Sequence, residues 1–77
     1  MNKAQQVDDV YYTAAWDNNT HSEGCYELAV HAAKELGGVE VQNDGSPSYE
    51  TGRTFEFDDS SSIYIRCGGT YVIEPSA

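Results

Sequence analysis

The sequence predicts an α+β fold in which one amphipathic helix packs on a small antiparallel sheet of about four strands. In the middle of the chain, apolar residues recur every three or four positions, which is the period of a helix. Beyond that region the apolar spacing changes to two, which is typical of strands. Aromatic residues make up 12% of the 77 residues and indicate a folded chain, although a net charge of −9 is common in disordered ones. With no linker to divide it, the chain is expected to form a single domain over residues 1–77.

The predicted helix runs from His21 to Leu36. Its start has the form of a capping box, because the Thr20 hydroxyl can accept an early helical N–H while Glu23 reaches back. A glycine pair at 37–38 supplies the left-handed stop. The apolar stripe that should face the sheet comprises Cys25, Leu28, Ala29, Ala32 and Leu36.

Four short strands with alternating apolar and polar residues are expected after the helix. A two-residue type I′ turn at Gly68–Gly69 should join the last two, which would place Cys67 opposite Thr70. The predicted strands are Val39–Gln42, Arg53–Asp58, Ser62–Cys67 and Thr70–Glu74.

This register sorts the side chains of the sheet onto two faces, because successive residues of a strand point to opposite sides. An outer face that carries two tyrosines would be either a partner-binding surface or the place where the N-terminal segment packs. The residues expected to face the helix are Phe55, Phe57, Ile63, Ile65, Cys67 and Val72. Those expected on the outer face are Glu56, Asp58, Tyr64, Arg66, Tyr71 and Ile73.

The N-terminal segment 1–16 fits two interpretations. Apolar residues between Val7 and Ala14 would share one face of a helix, whereas Asp9–Trp16 also alternates as a strand does. The density of Val, Tyr, Thr and Trp favours a strand over Asp9–Trp16. If the segment is helical instead, the class remains α+β.

Metal binding, cofactors and catalysis are not predicted. His21 and Cys25 are four residues apart and could reach one ion together with Cys67, but no fourth ligand is recognisable. The simpler interpretation is a solvated histidine and two small buried thiols. No nucleophile motif, phosphate-binding glycine loop or paired-carboxylate motif is present. A small enzyme or metal-dependent regulator that uses these residues and His31 remains an alternative.

The acidic excess predicts a cationic protein partner. Four Lys and Arg cannot provide the footprint for direct nucleic-acid binding, and no Lys or Arg occurs between Ala4 and Ala33. On the second predicted strand, Glu56 and Asp58 would project to one side about 6.6–6.8 Å apart, and Asp59 would extend the row. Such a row could engage the Lys and Arg that hold phosphates in another protein. Further acidic contacts are expected at Asp8, Asp9, Asp17 and Glu50, and aromatic contacts at Tyr64 and Tyr71.

The segment Arg53–Ile65, followed by Gly68–Tyr71, resembles the hairpin block of small acidic phage anti-CRISPR proteins. The resemblance implies an inhibitor whose carboxylates mimic DNA phosphates and engage lysines on the Cascade subunits that bind target DNA in a type I surveillance complex. It implies a partner-contacting role for Asp58 and Asp59.

The cellular setting and the alternatives follow from the same features. The start of the chain lacks the apolar stretch of a secretory signal, and no apolar run is long enough to span a membrane, so the host bacterial cytoplasm is expected. The protein would act as a monomer or homodimer. The alternatives are an immunity-type or antitoxin-type protein that neutralises a basic nuclease, and a small virion-associated structural subunit.

Overall fold

A computed structural model, which describes residues 1–19, 21–41 and 48–73, confirms the α+β class. Two helices precede four strands, and the strands form one antiparallel sheet in the order β1-β2-β3-β4. Both helices pack on the same face of this sheet, where the apolar core lies. The elements are α1 (Lys3–Asn18), α2 (Glu23–Glu35), β1 (Val39–Val41), β2 (Arg53–Glu56), β3 (Ser62–Arg66) and β4 (Gly69–Ile73).

The N-terminal segment is the helix α1, so the strand favoured for Asp9–Trp16 is wrong. A capping box starts the helix: the Asn2 side chain accepts the Gln5 N–H at 2.8 Å, and the Gln5 side chain accepts the Asn2 N–H at 2.9 Å. Packing of an apolar face against α2 and the sheet outweighs the strand preference of the individual residues. The residues buried on that face are Ala4, Val7, Tyr11 and Ala15.

The helix α2 begins two residues later than predicted and turns a different side to the core. Its N-cap is Ser22, whose hydroxyl accepts the Cys25 N–H at 3.4 Å, while Thr20 lies outside the described residues. Leu28, expected in the apolar stripe, is 51% exposed. Because α2 packs against α1 as well as the sheet, its buried face is rotated. That face comprises Cys25, Tyr26, Ala29, Val30 and Ala33.

The turn between β3 and β4 lies one residue earlier than predicted. Arg66 pairs with Gly69, so Cys67 and Gly68 form the turn, and both Gly68, with φ of 87°, and Gly69, with φ of 153°, have a backbone that favours glycine. The N–H of Cys67 instead donates to the Tyr49 carbonyl at 2.8 Å, which takes Cys67 out of the ladder. The pairing therefore differs from the predicted one by two residues.

Apart from Cys67, which was expected on the inner face and lies in the turn, the predicted assignment of side chains to the two faces of the β3–β4 hairpin is confirmed, because a shift by two residues preserves the alternation. On the inner face Ile63 lies opposite Val72, and on the outer face Tyr64 lies opposite Tyr71. No described helix or strand covers the outer face. Its exposed large apolar side chains are Val39, Tyr71 and Ile73.

Candidate acidic binding surface

Asp59 is a structural carboxylate that joins the β2–β3 turn to the start of α1. Its Oδ2 accepts the Lys3 N–H at 2.8 Å, and its Oδ1 accepts the Ser61 N–H at 3.0 Å together with the Ser61 hydroxyl. That hydroxyl is fully buried and also accepts the Ala4 N–H at 3.2 Å. The Ser61 hydroxyl and the two backbone N–H groups lower the pKa of Asp59 to about 2, because they bond to the charged form.

Asp59→Asn is expected to reduce stability at neutral pH. The pKa of Asp59 is lower in the folded protein than the usual value near 3.9, so its contribution is complete above pH about 4 and is lost as the pH falls toward about 2. The free energy of unfolding, measured in urea, should therefore fall less between pH 7 and pH 2.5 for Asp59→Asn than for the parent protein. Asp9→Asn, at an exposed site, is the control, and equal stability of parent and Asp59→Asn at pH 7 would contradict this role.

The expected row of Glu56, Asp58 and Asp59 is not a row along a strand. The strand β2 ends at Glu56, because the N–H of Phe57 donates to the Ser61 carbonyl at 2.9 Å in a tight turn. Asp58 thus lies in the turn, where its Oδ1 is 2.5 Å from the Lys3 ammonium. The strand spacing predicted for Glu56 and Asp58 does not apply, and Glu56 is the one carboxylate that the described strands place on the outer face.

The remaining predicted acidic residues fall into different settings. Asp8 is half-buried and accepts a hydrogen bond from the Thr70 hydroxyl at 2.5 Å, which connects α1 to β4. Glu50 is exposed in the turn before β2. Asp9 and Asp17 are exposed on α1, on the side opposite its buried residues.

Exposed carboxylates lie on both helices, and those of α2 border a cavity that is also lined by Lys34 and Arg53. Asp9 and Asp17 of α1 are joined by Glu23 and Glu27, which are one turn apart on α2. Within residues 1–19, 21–41 and 48–73, none of the four forms an ion pair. We call this set the helical acidic surface. Glu23 and Glu27 were not among the acidic residues singled out from the sequence, although they lie in the stretch between Ala4 and Ala33 that has no Lys or Arg.

The outer sheet face has a different character from the helical acidic surface. Tyr71 is 71% exposed, whereas Tyr64 is half-buried because its hydroxyl donates to the Thr51 carbonyl at 2.7 Å. Glu56 and Arg66 bring one charge of each sign to this face. The structure therefore separates the predicted aromatic contacts, on a nearly neutral face, from the acidic contacts on the helices.

The residues considered for metal binding do not come together. Among the residues that the structure describes, no group of three His, Cys, Asp or Glu is placed to hold a metal ion. Cys25 is buried and Cys67 lies in the β3–β4 turn, and no disulfide joins them. His21 Nδ1 is 3.0 Å from the hydroxyl of Tyr11, and burial raises the pKa of this tyrosine to about 12.

The fold and these surfaces define a small α+β domain with two helices on one face of an antiparallel sheet and an acidic surface on the helices. No protein-family model, curated protein or solved structure matches the chain. Within the described ranges, neither helix is long and apolar enough to cross a membrane.

Proposed function

We propose that this protein binds the cationic nucleic-acid site of another protein and blocks it, with carboxylates in the positions that phosphates normally occupy. The supporting observation is the helical acidic surface, whose four exposed carboxylates lack ion pairs in the described part of the chain. A field of one sign speeds encounter with an oppositely charged surface and disfavours direct contact with nucleic acid.

The resemblance to phage anti-CRISPR proteins suggests the particular partner. We propose a type I surveillance complex, with the DNA-binding subunits of Cascade as the contact and the host bacterial cytoplasm as the setting. Inhibition then requires only occupancy of the DNA site, with no covalent change to either protein.

The helices are better suited to this contact than the β2–β3 turn. Both oxygens of Asp59 are engaged inside the protein, and Asp58 is next to Lys3. Glu23 and Glu27 are about 6 Å apart along the axis of α2, and Asp9 and Asp17 about 12 Å apart along α1. Because a helix is stiff, these separations are already set before the partner binds, which lowers the entropic cost of binding.

Two variants with equal net charge test where the contact lies. The first neutralises the helices by Asp9→Asn, Asp17→Asn and Glu27→Gln, and the second neutralises other exposed acids by Glu50→Gln, Glu56→Gln and Asp58→Asn. The first variant should bind the partner about 3- to 150-fold more weakly, since three exposed charge pairs contribute about 0.2–1 kcal/mol each. The second variant should lose less affinity for the partner. Glu23 is left unchanged because it lies in the first turn of α2, where a negative charge stabilises the helix.

The measurement is capture from a bacterial lysate at low and high salt, followed by binding to the purified partner. Capture should weaken with salt, because the screening length falls from about 10 Å at 0.1 M to about 3 Å at 1 M. An equal loss of binding in both variants would contradict the assignment to the helices. Salt-dependent capture of a basic nuclease rather than a surveillance complex would favour the immunity-type alternative.

The outer sheet face favours a second candidate, a subunit that associates with copies of itself. Two molecules with a net charge of −9 repel each other, and this face carries only Glu56 and Arg66 as charged residues in its described part. Exposed Tyr71 and Ile73 would supply the apolar contact. A structural subunit of this kind would have a solution mass at least twice that of the 8.5 kDa chain.

A further inference from the structure

Trp16 is the most exposed aromatic residue described, with 86% of its surface accessible on the solvent side of α1. It borders an open cavity of about 300 Å³ at the C-terminal end of the helix. This volume is at the lower end of the range for ligand-binding cavities, about 300–1,000 Å³. Tryptophan beside a concave surface is typical of residues that dominate binding energy at interfaces. The lining residues are Tyr12, Ala15, Trp16, Asn19 and His21.

The aromatic wall of this cavity is held in place by the fold. The ring of His21 stacks on Tyr11 at a centroid distance of 5.7 Å, and Tyr12 meets His21 edge-on at 6.1 Å. A Cβ atom at Gly69 would lie 2.9 Å from the Tyr12 hydroxyl, so a side chain there would displace the tyrosine. Tyr12 and His21 are restrained in this way, so their part of the wall needs little ordering when a ligand enters.

The charges around the cavity favour a cation. Neither nearby carboxylate lines the cavity itself: Asp17 follows Trp16 and projects about 100° around α1 from it, and Asp9 lies on the same side of α1 as Trp16, two turns earlier. The last turn of α1 has no basic residue to offset the partial negative charge at the C-terminal end of the helix. The sequence has no Lys or Arg from Ala4 to Ala33, and neither Lys3 of α1 nor Lys34 of α2 lines the cavity.

We propose that this cavity receives an arginine side chain of the basic partner, with its guanidinium stacked on Trp16 and paired with Asp17. Tryptophan is the best aromatic acceptor of a cation. Arginine fits better than lysine, because its guanidinium is planar, stacks on aromatic rings and is more weakly hydrated than an ammonium group. The inference rests on the proposed function and specifies which chemical group of the partner is recognised.

A hexa-arginine peptide tests the site without the natural partner. Trp16 is the only tryptophan, so its fluorescence reports binding directly. The arginine peptide should produce a saturable change and bind about 3- to 10-fold more tightly than hexa-lysine, while hexa-citrulline, which is uncharged, should not bind. Equal affinities for the arginine and lysine peptides would overturn the proposal.

Substitutions test whether the arginine peptide binds at the cavity. By calorimetry, Trp16→Ala should bind hexa-arginine about 3- to 30-fold more weakly, and Asp17→Asn should also weaken binding. Leu28→Ala, at an exposed large apolar residue of α2, should leave the affinity unchanged. Unchanged affinity in Trp16→Ala, with circular dichroism showing a folded protein, would refute the arginine site.

The two proposals fail in different ways. If Trp16→Ala keeps its affinity for hexa-arginine while neutralised helices lose the lysate partner, the proposed function stands and the arginine site is wrong. If Trp16→Ala loses the peptide while the lysate yields no salt-dependent partner, the arginine site stands and the proposed function is wrong.

Discussion

Ile63→Ala is expected to unfold the protein or bring it to the edge of unfolding. Ile63 is fully buried on the inner face of β3, opposite Val72. Truncation of a buried isoleucine to alanine costs about 2–5 kcal/mol, through lost transfer energy and the cavity that remains. The core of a domain this small rarely supplies more than about 3–5 kcal/mol, so one such loss is enough.

Ile73→Ala is the matched control, because the same atoms are removed from the other face of the sheet. Ile73 is 48% exposed on β4 and borders the uncovered outer face. Its truncation should cost about 1 kcal/mol or less, since much of the side chain is already in water. Urea denaturation followed by circular dichroism measures both values. Similar unfolding midpoints for Ile63→Ala and Ile73→Ala would contradict the assignment of inner and outer faces.

Gly52→Ala is expected to have the second largest effect on folding. Gly52 is buried with φ of 85°, and a Cβ atom there would lie 2.6 Å from the ring of Tyr64. The left-handed backbone costs an alanine about 1–2 kcal/mol, and displacement of the ring adds about 1–3 kcal/mol. It would also disturb the hydrogen bond from the Tyr64 hydroxyl to the Thr51 carbonyl.

Gly68→Ala separates the two contributions. Gly68 has a nearly identical φ of 87°, but a Cβ atom there meets nothing within 4 Å. Its substitution should therefore cost only the backbone term, about 1–2 kcal/mol. Equal losses of unfolding free energy at the two glycines would show that contact with Tyr64 does not restrict Gly52.

The alternation of apolar and polar residues correctly predicted the two faces of the β3–β4 hairpin. The same criterion gave the wrong result for α1. The alternation that places Tyr64 and Tyr71 outside is insensitive to a pairing shift of two residues, so an error in the turn left it intact. In α1 the strand-forming residues suggested alternation, and the capping box of Asn2 and Gln5, which would have favoured a helix, was not recognised in the sequence. Once the segment is helical, its buried residues and its acidic face follow from a period of 3.6.

The site was harder to predict because it depends on contacts between distant parts of the chain. Nothing in the run of acids distinguishes Asp59, whose partner Lys3 lies at the other end of the chain. Trp16 was considered part of a strand, which hid its exposure at the end of a helix beside His21. The low number of basic residues correctly indicated an unneutralised surface on the helices, but not which of its carboxylates are already bonded within the fold.

The central proposal is that the helical acidic surface and nucleic acid compete for one cationic site on the partner. The direct measurement is fluorescence anisotropy of labelled target DNA bound to the purified partner, while this protein is added. We expect wild-type protein to displace the DNA, with a midpoint that rises in proportion to DNA concentration, and the Asp9→Asn, Asp17→Asn, Glu27→Gln variant to displace it poorly. A stable ternary complex of partner, DNA and this protein would contradict the proposal.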